Sequence, residues 1–330
     1  MTLVFERTPH RFDTLSRPDT HLLGQRLQRG SGEVTPGAPA LLHPPEPVIE
    51  RWLSNRASQH GQTGCIHHAF DGAWLYGAAR LDVPSHGRDL QERTRQLYAD
   101  LFRVLRSHPG LHLLKIWNYL PDINADLDGL ELYRHFNIGR QQAFLDAGQS
   151  AFEGAPAACA LGHHGGPLTL AFLAGPVAPR PVENPRQTSA YHYPSEYGPR
   201  SPTFSRAALV ELAPGLETLF ISGTASIVGD ASVHRGDVVR QTEETLRNLA
   251  ALLDAVHART SARFELSRMD HTIYLRHAAD LPRVRAVFEQ AVQADSPAAC
   301  GALYLHADIC RSELLVEIEV QGSARLGAAA

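Results

Sequence analysis

The sequence has no apolar run near the roughly 20 residues needed to cross a bilayer, so no membrane association is expected. It also lacks surplus positive charge. The formal net charge is -4 with histidines neutral, which leaves no basic footprint for a nucleic-acid backbone or an anionic lipid surface. A small anionic substrate would have to be held by local arginines. Cysteine is sparse: Cys65, Cys159, Cys300 and Cys310 are scattered without C-x-x-C spacing and read as reduced thiols, not a disulfide framework or zinc site. No G-x-G-x-x-G follows a strand, and low-complexity tracts are absent apart from the tail GSARLGAAA, which reads as frayed. The stretch MTLVFERTPHRFDTLSRPD carries acidic residues and no long apolar segment. It reads as neither secretory signal nor transit peptide, and the cytoplasm is the expected compartment.

What is present is ordinary globular material: 330 residues, 43% hydrophobic and 20% charged, enough for two domains. Residues 1–50 are rich in Pro, Gly, Arg and His with weak periodicity and read as an irregular lead-in with one short strand. Regular patterning starts at AWLYGAARLDV, a strand. Leu90, Leu97, Leu101, Val104 and Leu105 then share one helical face that stops at Pro109-Gly110. HLLKIWNYL reads as a buried strand, GLELYRHFNIGRQQAFL as a mixed helical stretch, and CALGHHGG and PLTLAFLAG as two strands. The order is β-α-β-α-β-β.

The second half repeats that order. LETLFISGTASIVG is strand-like, and Asp237 caps a helix whose stripe runs Val238, Leu246, Leu249, Leu253, Val256. ELSRMDHTIYLRH is a strand, and Asp280 with Pro282 opens a second helix. ALYLHADI and ELLVEIEV close the unit. A weak internal duplication follows. The expected organisation is a lead-in over 1–50, one half over 51–180, and a Pro/Tyr/Arg-rich connection over 181–207 that lines the site. A second half over 208–325 and a tail over 326–330 complete it.

LFISGTASIVG, GDVVRQTEETLRNLAALLDA and LLVEIEV resemble the reactive-intermediate deaminase superfamily, often called YjgF-like. That resemblance implies an α+β fold of two tandem YjgF-like halves. Each would be a chorismate-mutase-like, ferredoxin-type sheet with helices on one face, with a cleft between them. ENPRQTSAYHYPSEYGPRSPTFSRA, GLELYRHFNIGRQQAF, GHHGG and HADICRSELLVEIE together resemble the chorismatases. This implies a chorismate lyase needing no cofactor, with chorismate as the small-molecule partner, and a monomer or trimer.

The chemistry follows from that substrate. Chorismate carries a ring carboxylate, a C4 hydroxyl and an enolpyruvyl ether on C3 with a second carboxylate. Cleaving the ether needs a proton on the methylene carbon, from an acid still protonated near neutral pH. Strand alternation in LLVEIEV puts Glu317 and Glu319 on one face. In an arbitrary strand both would face water. The resemblance assigns Glu317 as the catalytic acid, whose pKa a desolvating cleft should raise, and leaves Glu319 structural or solvated. Cys310, by sequence alone a small buried hydrophobe, matches a position where cysteine accompanies 3-hydroxybenzoate formation and alanine accompanies hydrolysis to a dihydrodiol, and the resemblance implies a catalytic part for it, adjusting the pocket or assisting proton removal. Gly223 behaves similarly, with alanine typical of the hydrolases, and Gln187 falls on the benzoate-forming side. Arg140, Arg200 and Arg206 are candidates for bidentate capture of the carboxylates, and Tyr133 and Tyr197 for hydroxyl donation.

In GHHGGP, adjacent histidines point to opposite strand faces and no second ligand pair has metal spacing. The glycines precede no helix. A tight turn near the pocket is expected, and no metal. The implied activity is conversion of chorismate to 3-hydroxybenzoate and pyruvate, possible 4-hydroxybenzoate included. The alternatives are hydrolysis to the dihydrodiol, an enamine or imine deaminase, or a non-catalytic module binding aromatic acids.

Overall fold

A computed structural model describes residues 2–9, 19–30, 37–84 and 86–327. The chain begins with β1 (Leu3–Pro9), β2 (His21–Gln28), β3 (Ala40–His43) and β4 (Val48–Ser54). The first half continues with β5 (Gln59–Thr63), β6 (Ile66–Phe70), β7 (Leu75–Leu81), α1 (Gly87–Ser107) and β8 (His112–Pro121). A short hairpin, β9 (Asp126–Leu127) and β10 (Leu130–Glu131), leads into α2 (Leu132–Asp146), β11 (Ala157–His163) and β12 (Leu168–Gly175). After β13 (Arg180–Val182) an irregular connection reaches β14 (Ala207–Ala213) and β15 (Leu216–Ala225). The hairpin β16 (Ile227–Val228) and β17 (Ala231–Ser232), α3 (Val238–His257), β18 (Asp270–Leu275) and α4 (Leu281–Val292) follow. The short α5 (Pro297–Gly301), β19 (Leu303–His306) and β20 (Val316–Arg325) complete the chain.

Two sheets of matching topology result. The first has the order β11-β8-β12-β7-β6-β5 and the second β13-β14-β15-β20-β18-β19-β3. Laid side by side, β6-β7-α1-β8-α2-β11-β12 and β14-β15-α3-β18-α4-β19-β20 occupy equivalent places. In each, a helical crossover makes one parallel pair, β8 with β11 and β18 with β19, inside an otherwise antiparallel sheet. The internal duplication is thus a repeated fold of two α+β halves.

Each sheet carries its helices on one face. Leu97, Leu101 and Val104 of α1 pack on Ile116, Leu120 and Phe172 in one core, and Leu249, Leu253 and Val256 of α3 on Leu219, Ile273 and Ile318 in another. The opposite faces meet each other, with Trp117, Tyr119 and Leu161 against Phe220, Tyr274 and Leu305. Local signals behave as their chemistry requires. The Asp237 carboxylate accepts a hydrogen bond from the Arg240 N–H at 3.1 Å, capping α3. Helix α2 lacks a clean apolar stripe because it is buried on several sides. Gly139 brings it against α1, where a Cβ would lie 2.9 Å from the Thr94 Cβ.

The lead-in reading of residues 1–50 is corrected. β1, β4 and β2 form a three-stranded sheet, and β3 adds itself to β19 at the edge of the second half. All seven residues of β4 are buried, Glu50 and Arg51 included, so inward-facing charges had masked the strand pattern. β5 and β6 precede AWLYGAARLDV, where regular patterning was expected to start, and β14 precedes LETLFISGTASIVG in the second half. The GSAR segment of the tail is also not frayed, because it extends β20 and pairs Arg325 with Leu216. Residues 328–330 of the tail lie outside the described residues. None of the helices described is long and apolar enough to cross a membrane.

Candidate active site

The two halves approach most closely along β11 and β15. The Ala158 N–H donates to Ser222 Oγ at 2.9 Å, and the Lys115 ammonium on β8 donates to the Ile221 carbonyl on β15 at 3.0 Å. Beside this seam lies a cavity walled by α2, β11, β15, β20 and the connection. It gathers Tyr133, Arg140, Tyr197, Arg206, Gly223, Cys310 and Glu317 from positions spread over almost two hundred residues. Two expected residues are not among its walls. Arg200 is exposed, because the chain turns at Gly198 (φ 138°) and carries Pro199 and Arg200 outward before it returns to the cavity at Pro202. Gln187 is buried one layer back, where its amide donates to the Ile227 carbonyl at 3.0 Å and fastens the connection to the segment after β15.

Glu317 projects from β20, a central strand, and is only 4% exposed. Burial pushes its carboxyl up to about 8, and the Glu319 charge adds to the rise against Lys115 and Arg206. Glu319, on the same strand face, goes the other way. Burial alone would raise it, but Lys115 and Arg26 overcome that and hold it down to about 2. Its carboxylate accepts from Trp117 Nε1 at 2.6 Å, Lys115 Nζ at 2.9 Å and the Tyr274 hydroxyl at 2.8 Å. Of the two readings open for Glu319, the structure selects structural over solvated. One strand face thus holds one protonated and one ionised carboxyl at neutral pH.

The rest of the wall is cationic and aromatic. Arg140, 1% exposed, donates to Asn137 Oδ1 at 2.8 Å and leaves Nε without a partner. Arg206 donates to the Thr188 carbonyl at 2.8 Å and the Tyr193 hydroxyl at 2.7 Å, again with Nε unpaired. Arg311 stacks 3.7 Å above the Tyr197 ring, donates to the Asp230 carbonyl at 2.6 Å, and keeps Nη2 unpaired. Sequence reasoning missed Arg311, although it follows Cys310 directly in ADICRSE. Buried guanidinium groups with free N–H donors around an apolar-walled cavity are suited to a ligand bearing carboxylates. Burial, reinforced by the Glu317 charge, pushes the Cys310 thiol up to about 12, and burial likewise raises the Tyr133 phenol. Both stay protonated at neutral pH. The GHHGGP segment forms the turn between β11 and β12, with Gly165 and Gly166 at positive φ, and none of its residues lines the cavity.

Residues 50–174 match the family described as "Chorismatase FkbO/Hyg5-like, N-terminal". A 3-hydroxybenzoate synthase of Streptomyces hygroscopicus is 37% identical over 286 residues, covering 83% of this chain and 81% of its own. A chorismatase of the same organism is 40% identical over 280 residues, covering 83% and 79%. A chorismatase crystal structure shares 34% identity and superposes with a TM-score of 0.84 over 97% of this chain and 98% of its own. Identity at this level, sustained through both halves and the connection that joins them, makes the chain a member of the chorismatase family.

Proposed function

We propose that the protein converts chorismate to 3-hydroxybenzoate and pyruvate, with Glu317 as the acid that starts the reaction. The observation that carries this reading is the placement of a buried, proton-retaining Glu317 in one cavity with Gly223, Cys310 and the unpaired donors of Arg140, Arg206 and Arg311. Relatives named 3-hydroxybenzoate synthase and chorismatase support the substrate.

In this mechanism the arginines hold the two carboxylates of chorismate, with Tyr133 and Tyr197 donating to its oxygens. Glu317 delivers its proton to the methylene carbon of the enolpyruvyl group and leaves an oxocarbenium ion. The C4 hydroxyl adds to that carbon and loses its proton, giving a cyclic ketal. The C4–O bond then breaks, the C3 hydrogen leaves as a proton, and the ring becomes aromatic with oxygen retained on C3. Collapse of the resulting hemiketal releases pyruvate and 3-hydroxybenzoate, and Glu317 is reprotonated. Chorismate equals the two products without added water, so the reaction is a lyase reaction. Cys310, protonated and half-buried in the cavity wall, acts as a neutral wall of the pocket and not as a covalent nucleophile.

The test is incubation with chorismate alone, with the aromatic products separated by chromatography beside a pyruvate assay. Stoichiometric pyruvate and 3-hydroxybenzoate are expected, with a Glu317→Gln variant nearly inactive. Pyruvate with a dihydrodiol would keep chorismate cleavage and overturn the rearrangement. Pyruvate with 4-hydroxybenzoate as main product would relocate the oxygen loss to C3. No pyruvate would overturn the reading and turn attention to enamine deamination or simple aromatic-acid binding.

A further inference from the structure

Glu317 and Glu319 stand two residues apart on one face of β20, both nearly solvent-free, and are surrounded in opposite ways. Glu317 faces the cavity. Glu319 faces the inter-sheet core, where both of its oxygens accept hydrogen bonds from Lys115, Trp117 and Tyr274. Behind those donors the polar contacts continue. The Tyr274 hydroxyl lies 3.2 Å from that of Tyr119, which accepts from Arg26 Nη1 at 3.2 Å. Arg26 pairs with Glu50 at 2.9 Å, and Glu50 pairs with Arg7 at 2.9 Å. Charged side chains of the three-stranded sheet therefore reach, through two tyrosines, to the strand that carries Glu317.

A buried charge network of this size is costly to desolvate, and hydrophobic residues of similar volume would pack the core at less expense. Its retention in the core calls for a role other than stability. We infer that Glu319, fixed as a buried carboxylate by Lys115, Trp117 and Tyr274 and backed by Arg26 and Glu50, is a positioning residue for Glu317. Its negative charge opposes a second one on the same strand face.

The groups that face Glu317 divide clearly. Lys115 from β8 and Arg206 from the connection favour its ionised form, and Arg140 from α2 and Arg311 from the loop before β20 line the same cavity. Cys310 from the loop before β20, Cys159 from β11 and Tyr133 from α2 are themselves held neutral, by burial first. Among these groups Glu319 is the negative charge, and after burial it is the main influence keeping the proton on Glu317. Without it, the Lys115 cation would be left facing Glu317 uncompensated.

The inference rests on the reading of Glu317 as the proton donor, and two readouts separate the two claims. The first is the pH profile of kcat/KM for chorismate in the full-length protein and in Glu319→Gln, Glu319→Asp and the double variant Lys115→Gln/Glu319→Gln. The second is infrared titration of the Glu317 carboxylic C=O band without chorismate, the band being identified by its loss in Glu317→Gln. In Glu319→Gln the alkaline limb and the infrared midpoint should both move down by about one pH unit or more. Activity at pH 7 should fall and recover on acidification, which a merely structural defect would not do. Glu319→Asp should keep the limb near its original place. The double variant leaves no orphan charge, protecting the fold, and should fall between the two.

An infrared midpoint unmoved in folded Glu319→Gln and in the double variant would overturn the inference while leaving chorismate cleavage intact. Failure of the parent protein to consume chorismate, with the infrared midpoint shifted as expected in Glu319→Gln, would uphold the electrostatic coupling and overturn the proposed reaction.

Discussion

Gly223 and Glu317 touch across adjacent strands: a Cβ on residue 223 would lie 2.7 Å from the Glu317 carboxyl carbon and overlap one of its oxygens. The contact is made at a bulge, where β15 slips by one residue against β20 between Ile221 and Thr224. The absence of a side chain at 223 therefore leaves room for the Glu317 carboxyl, and in the proposed reaction it would set where that proton is delivered more directly than the size of the pocket.

The first prediction concerns that contact. In Gly223→Ala the Glu317 side chain must leave its rotamer, a shift open to it because the clash falls on the end of a flexible side chain beside a cavity. The proton then reaches the enolpyruvyl group from a shifted angle and the C4 hydroxyl loses its alignment with the oxocarbenium carbon. Product analysis should show the ratio of dihydrodiol to 3-hydroxybenzoate rising roughly tenfold, which corresponds to about 1.4 kcal/mol between the two routes. An unchanged product ratio with unimpaired turnover would show that the carboxyl position does not govern partition.

The second concerns pH. Glu317 holds its proton in the folded protein up to about pH 8, whereas its ordinary value is 4.5. The folded state therefore binds more protons than the unfolded state between those values, and this site makes stability decline as pH rises through that window. Glu317→Gln removes the group and with it that decline. Urea titrations should find the variant gaining on the parent from pH 5 to pH 8, although its activity is lost. Parallel stability profiles would mean that Glu317 titrates normally.

How much of this was legible in the sequence depends on what each residue's neighbours are. Glu317 could be found because strand alternation gives its face and several motifs in order give the family. The strands of the first fifty residues could not be read, because Arg7, Arg26 and Glu50 satisfy one another inside the protein and look like surface residues in a linear pattern. Arg200 was placed at the site because YGPRSP is one of the matching motifs, but past the turn at Gly198 it is exposed and lines no part of the cavity. Arg311 was overlooked for the converse reason. Its partners Tyr197 and Asp230 are some eighty residues or more away, and nothing local marks it as part of the cavity wall.

Those two arginines yield the third prediction. Arg311 offers an unpaired N–H beside a cavity otherwise rich in donors, so Arg311→Met should remove one charge-assisted hydrogen bond to a substrate carboxylate, worth about 1.5–3 kcal/mol. KM for chorismate should rise roughly ten- to a hundredfold. Arg200→Ala, at an exposed position, should change KM less than twofold. Equal effects in both variants would contradict the placement of Arg311 in the wall.

The last prediction tests the state of Cys310. A catalytic thiol nucleophile must be largely thiolate and reachable, whereas this one is pushed up to about 12 by burial and the adjacent Glu317 charge. Cys300, by contrast, is exposed at the end of α5. Treatment of the native protein with iodoacetamide at pH 7, followed by peptide mass spectrometry, should find Cys300 modified and Cys310 intact, with chorismate turnover unaffected. In urea both should react, which shows that folding and not sequence protects Cys310. Rapid native labelling of Cys310 with loss of activity would reverse the conclusion. It would make the thiol a participant in the proton transfers that follow protonation by Glu317, and not a neutral wall beside them.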